Sequence, residues 1–219
     1  MFDKVLNTSI LGRAQKKGKI EFELINLRDF GEGSHQVVDG RPYGGGAGMV
    51  LRADTLAKAL NDTKTLRPEE KCVTILMSAS GTPYKQSKAK ELSQLNHLII
   101  VCGHYEGVDQ RFIDKYVDEE ISIGDFVLTG GEIPAMVIAD SIVRLIPGVL
   151  EKEDATIDES FTDPNLLEFP QYTRPEEFEG DKVPEMLLSG NHGEVAKWRK
   201  QQAVAKTKKI RPDLITQKD

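Results

Sequence analysis

The sequence has only two cysteines, Cys72 and Cys102, far apart and each inside an apolar run. This excludes a disulfide framework and fits two buried thiols in a reducing compartment. No Cys/His spacing resembles a zinc site. No run of 18 or more apolar residues occurs, which excludes a membrane-spanning helix. The start carries no basic segment followed by an apolar one, so no signal peptide and no membrane partner are expected, and the expected location is cytoplasmic. Internal repeats and low-complexity tracts are also lacking. A Gly-Lys-Ser/Thr step is missing after the Gly44–Gly46 triplet, and no G-x-G-x-x-G joins a strand to a helix. The common nucleotide-binding loops therefore do not explain a chain with 19 glycines.

What is present is a chain of 219 residues, 39% hydrophobic and 29% charged, long enough for one large domain and a small appendage. Its net charge of −6 argues against indiscriminate nucleic-acid binding but hides an asymmetry. Residues 151–181 hold eleven Asp/Glu against only Lys152 and Arg174. Residues 195–212 hold seven Lys/Arg, among them Lys197, Arg199 and Lys200, and no acid. Such a basic tail is either a solvated helix face or a local contact surface for phosphates.

Apolar periodicity predicts a helix over 5–15, with Leu6, Ile10, Leu11 and Ala14 on one face. Ile20, Phe22 and Leu24 alternate with charged residues as in a half-buried strand. A loop over 30–49 ends in a glycine-rich run, and 53–61 reads as a helix. Buried strands are predicted at Val73–Met77 and Leu98–Cys102, a polar helix at 85–95 and an amphipathic one at 108–117. The run Gly124–Pro134 reads as a short apolar strand between glycines that then launches a helix over 134–146, with Pro134 in its first turn and Pro147 stopping it. Continuous apolar strands alternating with helices indicate an α/β domain with a largely parallel sheet. Residues 151–166 read as a linker or mobile loop. A helix is expected near 193–206.

Two glycine-rich runs follow strands: Val101-Cys102-Gly103-His104-Tyr105-Glu106-Gly107 and Gly124–Pro134. In such sheets ligands sit at the carboxyl ends of strands. Glycine within an element weakens it, so these runs suit a main chain that approaches a small, flat, polar ligand. Arg144 ends an otherwise apolar helix. It either pairs with Asp140 at i,i+4 or points into a site to stabilise developing negative charge. Asp158 and Glu159 lie in the acidic segment, where most carboxylates are solvated, though one on an ordering loop suits a general base. The stretch Leu167–Pro175 interleaves aromatics with Arg174, as a stiffened linker or as a surface that stacks on unpaired RNA bases. Asn191 and Ser189 offer caps for a helix entered at His192.

These residues resemble a family. Pro42–Met49, Cys102–Asp109, Gly124–Met136, Arg144–Leu150, Tyr172–Pro175 and Leu187–His192 match, in order, signatures of bacterial tRNA (guanine-N1)-methyltransferase, the TrmD type of the SPOUT class. Together they cover nearly the whole chain. The resemblance implies S-adenosyl-L-methionine-dependent methylation of N1 of the guanosine at tRNA position 37. It implies a SPOUT-type, mainly parallel sheet with a deep trefoil knot in a methyltransferase domain over 1–150, an interdomain loop at 151–166, and a small, mostly helical tRNA-binding domain at 167–219. It further implies an obligate homodimer and the tRNA anticodon stem-loop as partner. The family's cofactor contacts fall on Gly103, Tyr105 and Glu106, on Ile123, Gly124, Asp125, Phe126, Val127 and Leu128, and on Gly130, Gly131 and Pro134. The family's base falls on Glu159 and the arginine that faces guanine O6 on Arg144. RNA contacts are expected at Ser160, Tyr172, Arg174, Lys197, Arg199 and Lys200. A Mg2+ requirement is implied by resemblance alone, since no spacing shows a metal site.

The chain departs from the family in places. Glu159 stands where Asp is usual, so either Glu159 or the preceding Asp158 is the base. His104 stands where Arg is frequent, and Gly40 where a second Asp is. A Ser-Pro-Gln-Gly turn is replaced by Ser78-Ala79-Ser80-Gly81. Family members also carry an apolar strand ahead of the segment matching Met1-Phe2, so an upstream start is the expectation. Two alternatives share the motifs: a SPOUT methyltransferase for another RNA, and a non-catalytic RNA-binding relative.

Overall fold

The computed structural model describes residues 1–69, 71–152 and 156–216. The chain divides into two compact units, 1–151 and 152–219. Parts of the expected linker (153–155) and of the expected C-terminal domain (217–219) lie outside the described residues.

In the first unit the elements run α1 (Phe2–Leu6), α2 (Ser9–Lys16), β1 (Asp39–Gly40), β2 (Val50–Leu51), α3 (Ala53–Thr65), β3 (Cys72–Pro83), α4 (Gln86–Leu92), β4 (His97–Cys102), α5 (Gln110–Tyr116), β5 (Glu119–Ser122) and α6 (Glu132–Val143). The central sheet has the order β4-β3-β5, with both pairs parallel. The continuous apolar runs Ile75–Met77 of β3 and Leu98–Cys102 of β4 favour such a doubly covered sheet. On one face Ile75, Met77 and Ile121 pack with Leu92 of α4 and Ala135, Ile138 and Ile142 of α6. On the other, Ile99 and Val101 meet Leu56 and Leu60 of α3 and Phe112 of α5. Strand alternation sends neighbouring residues to opposite layers. A further cluster of Leu6, Leu11, Ala14, Val143 and Val149 seats the first two helices against the end of α6.

β3 and β5 pair in two stretches. Met77 is opposite Ile121, and so is Thr82. Ser78–Gly81 bulge out between them. Gly81 permits this, because a Cβ there would lie 2.6 Å from the Glu120 carbonyl carbon and the Ile121 nitrogen.

Several sequence expectations are corrected. The single helix expected over 5–15 is broken at Asn7–Thr8, where Thr8 Oγ1 turns back to donate to the Lys4 carbonyl at 2.7 Å. The segment at Ile20–Leu24 forms no strand. Ile20 and Phe22 still pack inward, but Leu24 is exposed. Alternation sets which side chains turn in, whereas a strand also needs a partner for its N–H and C=O groups. The apolar stretch Phe126–Leu128 is a bent loop rather than a strand. The strand is the preceding Glu119–Ser122. The helix begins at Glu132 with Gly131 at its N-cap and Pro134 in the first turn.

In the second unit, β6 (Glu177–Phe178) and β7 (Asp181–Lys182) form a hairpin, followed by α7 (Glu185–Leu188), α8 (His192–Ile210) and α9 (Asp213–Thr216). Asn191 caps α8 by accepting the Glu194 N–H at 3.3 Å. The segment before the hairpin is pinned to α8. The Leu167 N–H donates to Thr207 Oγ1 at 2.9 Å, and that fully buried hydroxyl donates to the Ala203 carbonyl.

Candidate functional site

A cleft of about 440 Å³ opens at the carboxyl ends of β3, β4 and β5. Its walls are the Ser78–Ser80 bulge, the Gly103–Val108 loop after β4, and the Ile123–Gly131 loop leading to Pro134 in α6. The cofactor positions expected from sequence come together here: Gly103, Tyr105, Glu106, Ile123, Gly124, Phe126, Val127, Leu128, Gly130, Gly131 and Pro134 line the cleft, and Asp125 does not.

The two glycine-rich runs lie side by side. The Gly131 N–H donates to the Gly103 carbonyl at 2.8 Å, and His104 bridges Gly130 in antiparallel fashion. Glycine is required at 131, since a Cβ there would lie 2.7 Å from Cys102 Cα and 2.8 Å from the Gly103 nitrogen. The entry to the second loop is folded by Ser122, whose Oγ donates to the Gly124 carbonyl at 2.9 Å and accepts the Gly124 N–H at 3.2 Å. The third glycine-rich run also meets this wall. Glu106 N–H donates to the Met49 carbonyl at 2.9 Å, and the Glu106 side chain lies where a Cβ on Gly48 would be.

The cleft combines apolar walls (Leu76, Val108, Ile113, Ile121, Ile123, Phe126, Leu128) with the carboxylates of Glu106 and Glu120 and the hydroxyls of Ser78, Ser80 and Ser122. It is shaped for a flat ring, a diol and cationic groups. Cys102, the last residue of β4 before the Gly103 wall, is partly buried, and that burial, with Glu132 nearby, pushes its thiol up to about 12, which disfavours the thiolate. Among the described residues no group of three His, Cys, Asp or Glu is arranged to hold a metal ion.

The catalytic pair expected from sequence is divided between the units. Arg144 is the C-cap of α6 in the first unit and is half-buried. Glu159 is in the second unit, also half-buried, and its carbonyl accepts the Thr162 N–H at 3.2 Å. Asp158 is exposed. The expected RNA-contact residues all lie in the second unit. Ser160 Oγ accepts the Glu168 N–H at 3.0 Å. Tyr172, 48% exposed, stands 6.4 Å from the Trp198 ring. Arg174 and Lys200 are exposed, Lys197 pairs with Glu194 at 2.8 Å, and Arg199 is half-buried over the Phe169 ring at 4.7 Å.

Sequence reasoning missed Glu120 and Ser122 as cleft walls and singled out Ser78–Gly81 only as a replaced family turn.

Residues 1–217 match the family model described as tRNA (Guanine-1)-methyltransferase TrmD. A tRNA (guanine-N(1)-)-methyltransferase of Bacillus velezensis is 52% identical over 215 residues, covering 98% of this chain and 88% of the relative. One from Staphylococcus aureus strain MRSA252 is 51% identical over 215 residues, covering 98% and 86%.

Proposed function

We propose that this chain, which belongs to the tRNA (guanine-1)-methyltransferase TrmD family, methylates N1 of the guanosine at tRNA position 37, beside the anticodon. It is a tRNA (guanine-N1)-methyltransferase of the SPOUT class, and its cofactor is S-adenosyl-L-methionine. The observation that carries the site assignment is the glycine-walled cleft beside the parallel strands, lined by residues of two of the six motifs, Cys102–Asp109 and Gly124–Met136. The residues present fit the cofactor: apolar walls for adenine, main-chain groups near Gly103 and Gly131, and Glu106 and Glu120 for the ribose diol and the cationic groups.

When bound, S-adenosyl-L-methionine supplies an already activated methyl group on its sulfonium. The protein's task is then positioning and proton removal. Neutral guanine carries a proton on N1 and is a poor nucleophile there. Glu159 removes that proton, and Arg144 holds the negative charge that moves onto O6. The target base is splayed from the anticodon loop, as recognition of single-stranded RNA permits. The second unit grips the tRNA anticodon stem-loop with Ser160, Tyr172, Arg174 and the α8 cations. Among the described residues no group of three His, Cys, Asp or Glu is arranged to hold the Mg2+ that the resemblance implies.

The family reading carries with it a trefoil knot in the 1–150 domain. A homodimer is supported by apolar side chains left at the surface beside the cleft: Val127 is 85% exposed, and Ile133 and Val137, one turn apart on α6, are 46% and 45% exposed. Among the described residues no helix is long and apolar enough to cross a membrane, and the reading places the enzyme in the cytoplasm with its tRNA.

The test is methyl incorporation from labelled S-adenosyl-L-methionine into a tRNA transcript with guanosine at position 37. Incorporation is expected, and it should vanish when that position is adenosine. Incorporation indifferent to the replacement, or tRNA binding with no turnover, overturns the reading.

A further inference from the structure

The run Pro42–Met49 does not line the cleft, and its Gly44–Gly46 triplet fits no nucleotide-binding loop. It is the loop that joins β1 to β2, and its base is fixed on two sides. Asp39 pairs with Leu51, and Gly40 with Val50. Across β2, the Glu106 N–H donates to the Met49 carbonyl at 2.9 Å, the Leu51 N–H to the Gly107 carbonyl at 2.9 Å and the Asp109 N–H to the Leu51 carbonyl at 3.0 Å. The loop therefore rises from the backbone that carries the Gly103–Val108 wall of the cleft.

At the start of the loop the Gly45 N–H donates to the Pro42 carbonyl at 3.4 Å, closing a turn with Tyr43 and Gly44 at its centre. Gly44, at φ +85, is the second central residue, where a positive φ favours glycine. Tyr43 is the first, and it is 98% exposed. A single exposed apolar side chain is ordinary, but the setting of this one is not. A Cβ at Gly44, Gly45 or Gly46 would meet nothing within 4 Å, so these glycines serve no packing contact and leave the space beside the ring open. Arg41, two residues earlier, is exposed as well. Arg111 follows the cleft residue Gln110, and its side chain is 75% exposed. Its guanidinium is made more basic chiefly by its hydrogen bonds to Asp109, and also by the Tyr43 phenol and Asp54 nearby. One aromatic ring thus stands among cations beside the cleft.

We infer that the Arg41–Met49 loop is an RNA-contact element of the first unit, in which the Tyr43 ring stacks on an unpaired base next to the target guanosine and Arg41 holds an adjoining phosphate. The inference rests on the tRNA methyltransferase reading. Splaying the target base into the cleft creates the need. A nucleotide that leaves the anticodon loop strips its neighbours of a stacking face, and an aromatic ring at the rim replaces that face. Such stacking tolerates any base, since each has a π-face, and an arginine neutralises the phosphate beside it. A second copy of the chain would call for contiguous apolar surface. The ring is flanked by glycines and arginines instead, which suit a base and its phosphate.

The experiment measures binding of the full chain to tRNA transcripts that carry the fluorescent base aminopurine, dark when stacked, on one or the other side of position 37. Bound to the wild type, the probe should stay dark at one of the two positions. Tyr43→Ser should bind tRNA between about 5-fold and 150-fold more weakly, as for a lost base–aromatic stack, and at saturation the probe should brighten at that position. Tyr43→Phe keeps the ring and should recover most of both signals. Arg41→Gln should flatten the dependence of log Kd on log salt by about 0.7. Because the ring is exposed, Tyr43→Ser should melt within about 2 °C of the wild type. Unchanged tRNA affinity or an unchanged probe in Tyr43→Ser, or an unchanged salt slope in Arg41→Gln, overturns the inference. So does a loss of tRNA affinity matched by an equal loss of S-adenosyl-L-methionine affinity, which marks a collapsed cofactor wall. A change in sedimenting mass in Tyr43→Ser also overturns it and assigns the ring to a second copy. A wild type that neither binds nor methylates tRNA overturns the proposed function, and this inference with it.

Discussion

Gly131→Ala tests the packing of the cleft directly. A Cβ at this position would sit 2.7 Å from Cys102 Cα, 2.8 Å from the Gly103 nitrogen and 3.1 Å from the Cys102 carbonyl carbon. All three are backbone atoms, so no rotamer change relieves the clash. Overpacking of this kind costs about 1–3 kcal/mol. Pushing the loops apart also weakens the Gly131 N–H bond to the Gly103 carbonyl, at 2.8 Å, a further ~1 kcal/mol. The stiffer unfolded chain offsets about 0.4–1 kcal/mol. The net loss is roughly 1–4 kcal/mol, or about 2–14 °C in Tm for a unit of this size. Gly40→Ala is the control, because nothing lies within 4 Å of its Cβ and its φ is not positive. It should be neutral or slightly stabilising. Thermal unfolding of the two variants, with S-adenosyl-L-methionine titrated into each at 20 °C, makes the comparison. If Gly131→Ala melts within about 1 °C of Gly40→Ala and binds cofactor as well, the close approach of the two loops is wrong.

Three further outcomes follow from individual residues. Glu159→Gln should slow single-turnover methylation at least about 100-fold while leaving cofactor affinity within twofold; if Asp158→Asn does this instead, the base is one residue earlier. Asp54 is held at about 2, chiefly by its hydrogen bond from Arg52. Its contribution is therefore complete above the carboxylate's unfolded value near 4 and is lost as pH falls toward 2. Asp54→Asn should flatten that acid limb of the urea-midpoint profile by at most about 1 kcal/mol, since both side chains are substantially solvated. An unchanged limb refutes the pairing. At pH 8 Cys102 should resist iodoacetamide in the folded chain and react once urea unfolds it, as mass spectrometry of the peptides will show; rapid labelling while folded contradicts the raised thiol.

The sequence was most legible where composition and environment agreed. The apolar runs of β3 and β4 read directly as strands, but only β3 is buried, over Thr74–Met77, while β4, at the edge of the three-stranded sheet, is half-buried along its whole length. Phe126–Leu128 has the same composition and the opposite fate. Its side chains are 53%, 85% and 39% exposed, because an apolar run records that burial is wanted and not by what. β5 was hidden for the converse reason. Glu119 and Glu120 open it, and its place in the sheet comes from pairing with β3, a contact between distant parts of the chain. The glycines of the cleft were legible as a group because each is costly unless used. Which neighbour each one meets needed the three-dimensional arrangement: Gly131 faces the Cys102 backbone, Gly48 lies under the Glu106 side chain, and Gly81 faces β5.

The double pairing of Ile121 with Met77 and Thr82 bears on how such a site can change over time. The ladder closes on either side of Ser78–Gly81, so the number and kind of residues between those anchors are free of the inside-outside alternation that the rest of the strand must keep. Residues could be added to or removed from this stretch without turning Ile75 or Met77 out of the core. One wall of the cleft is thus a module that selection, or a protein engineer, can rebuild while the sheet behind it keeps its register.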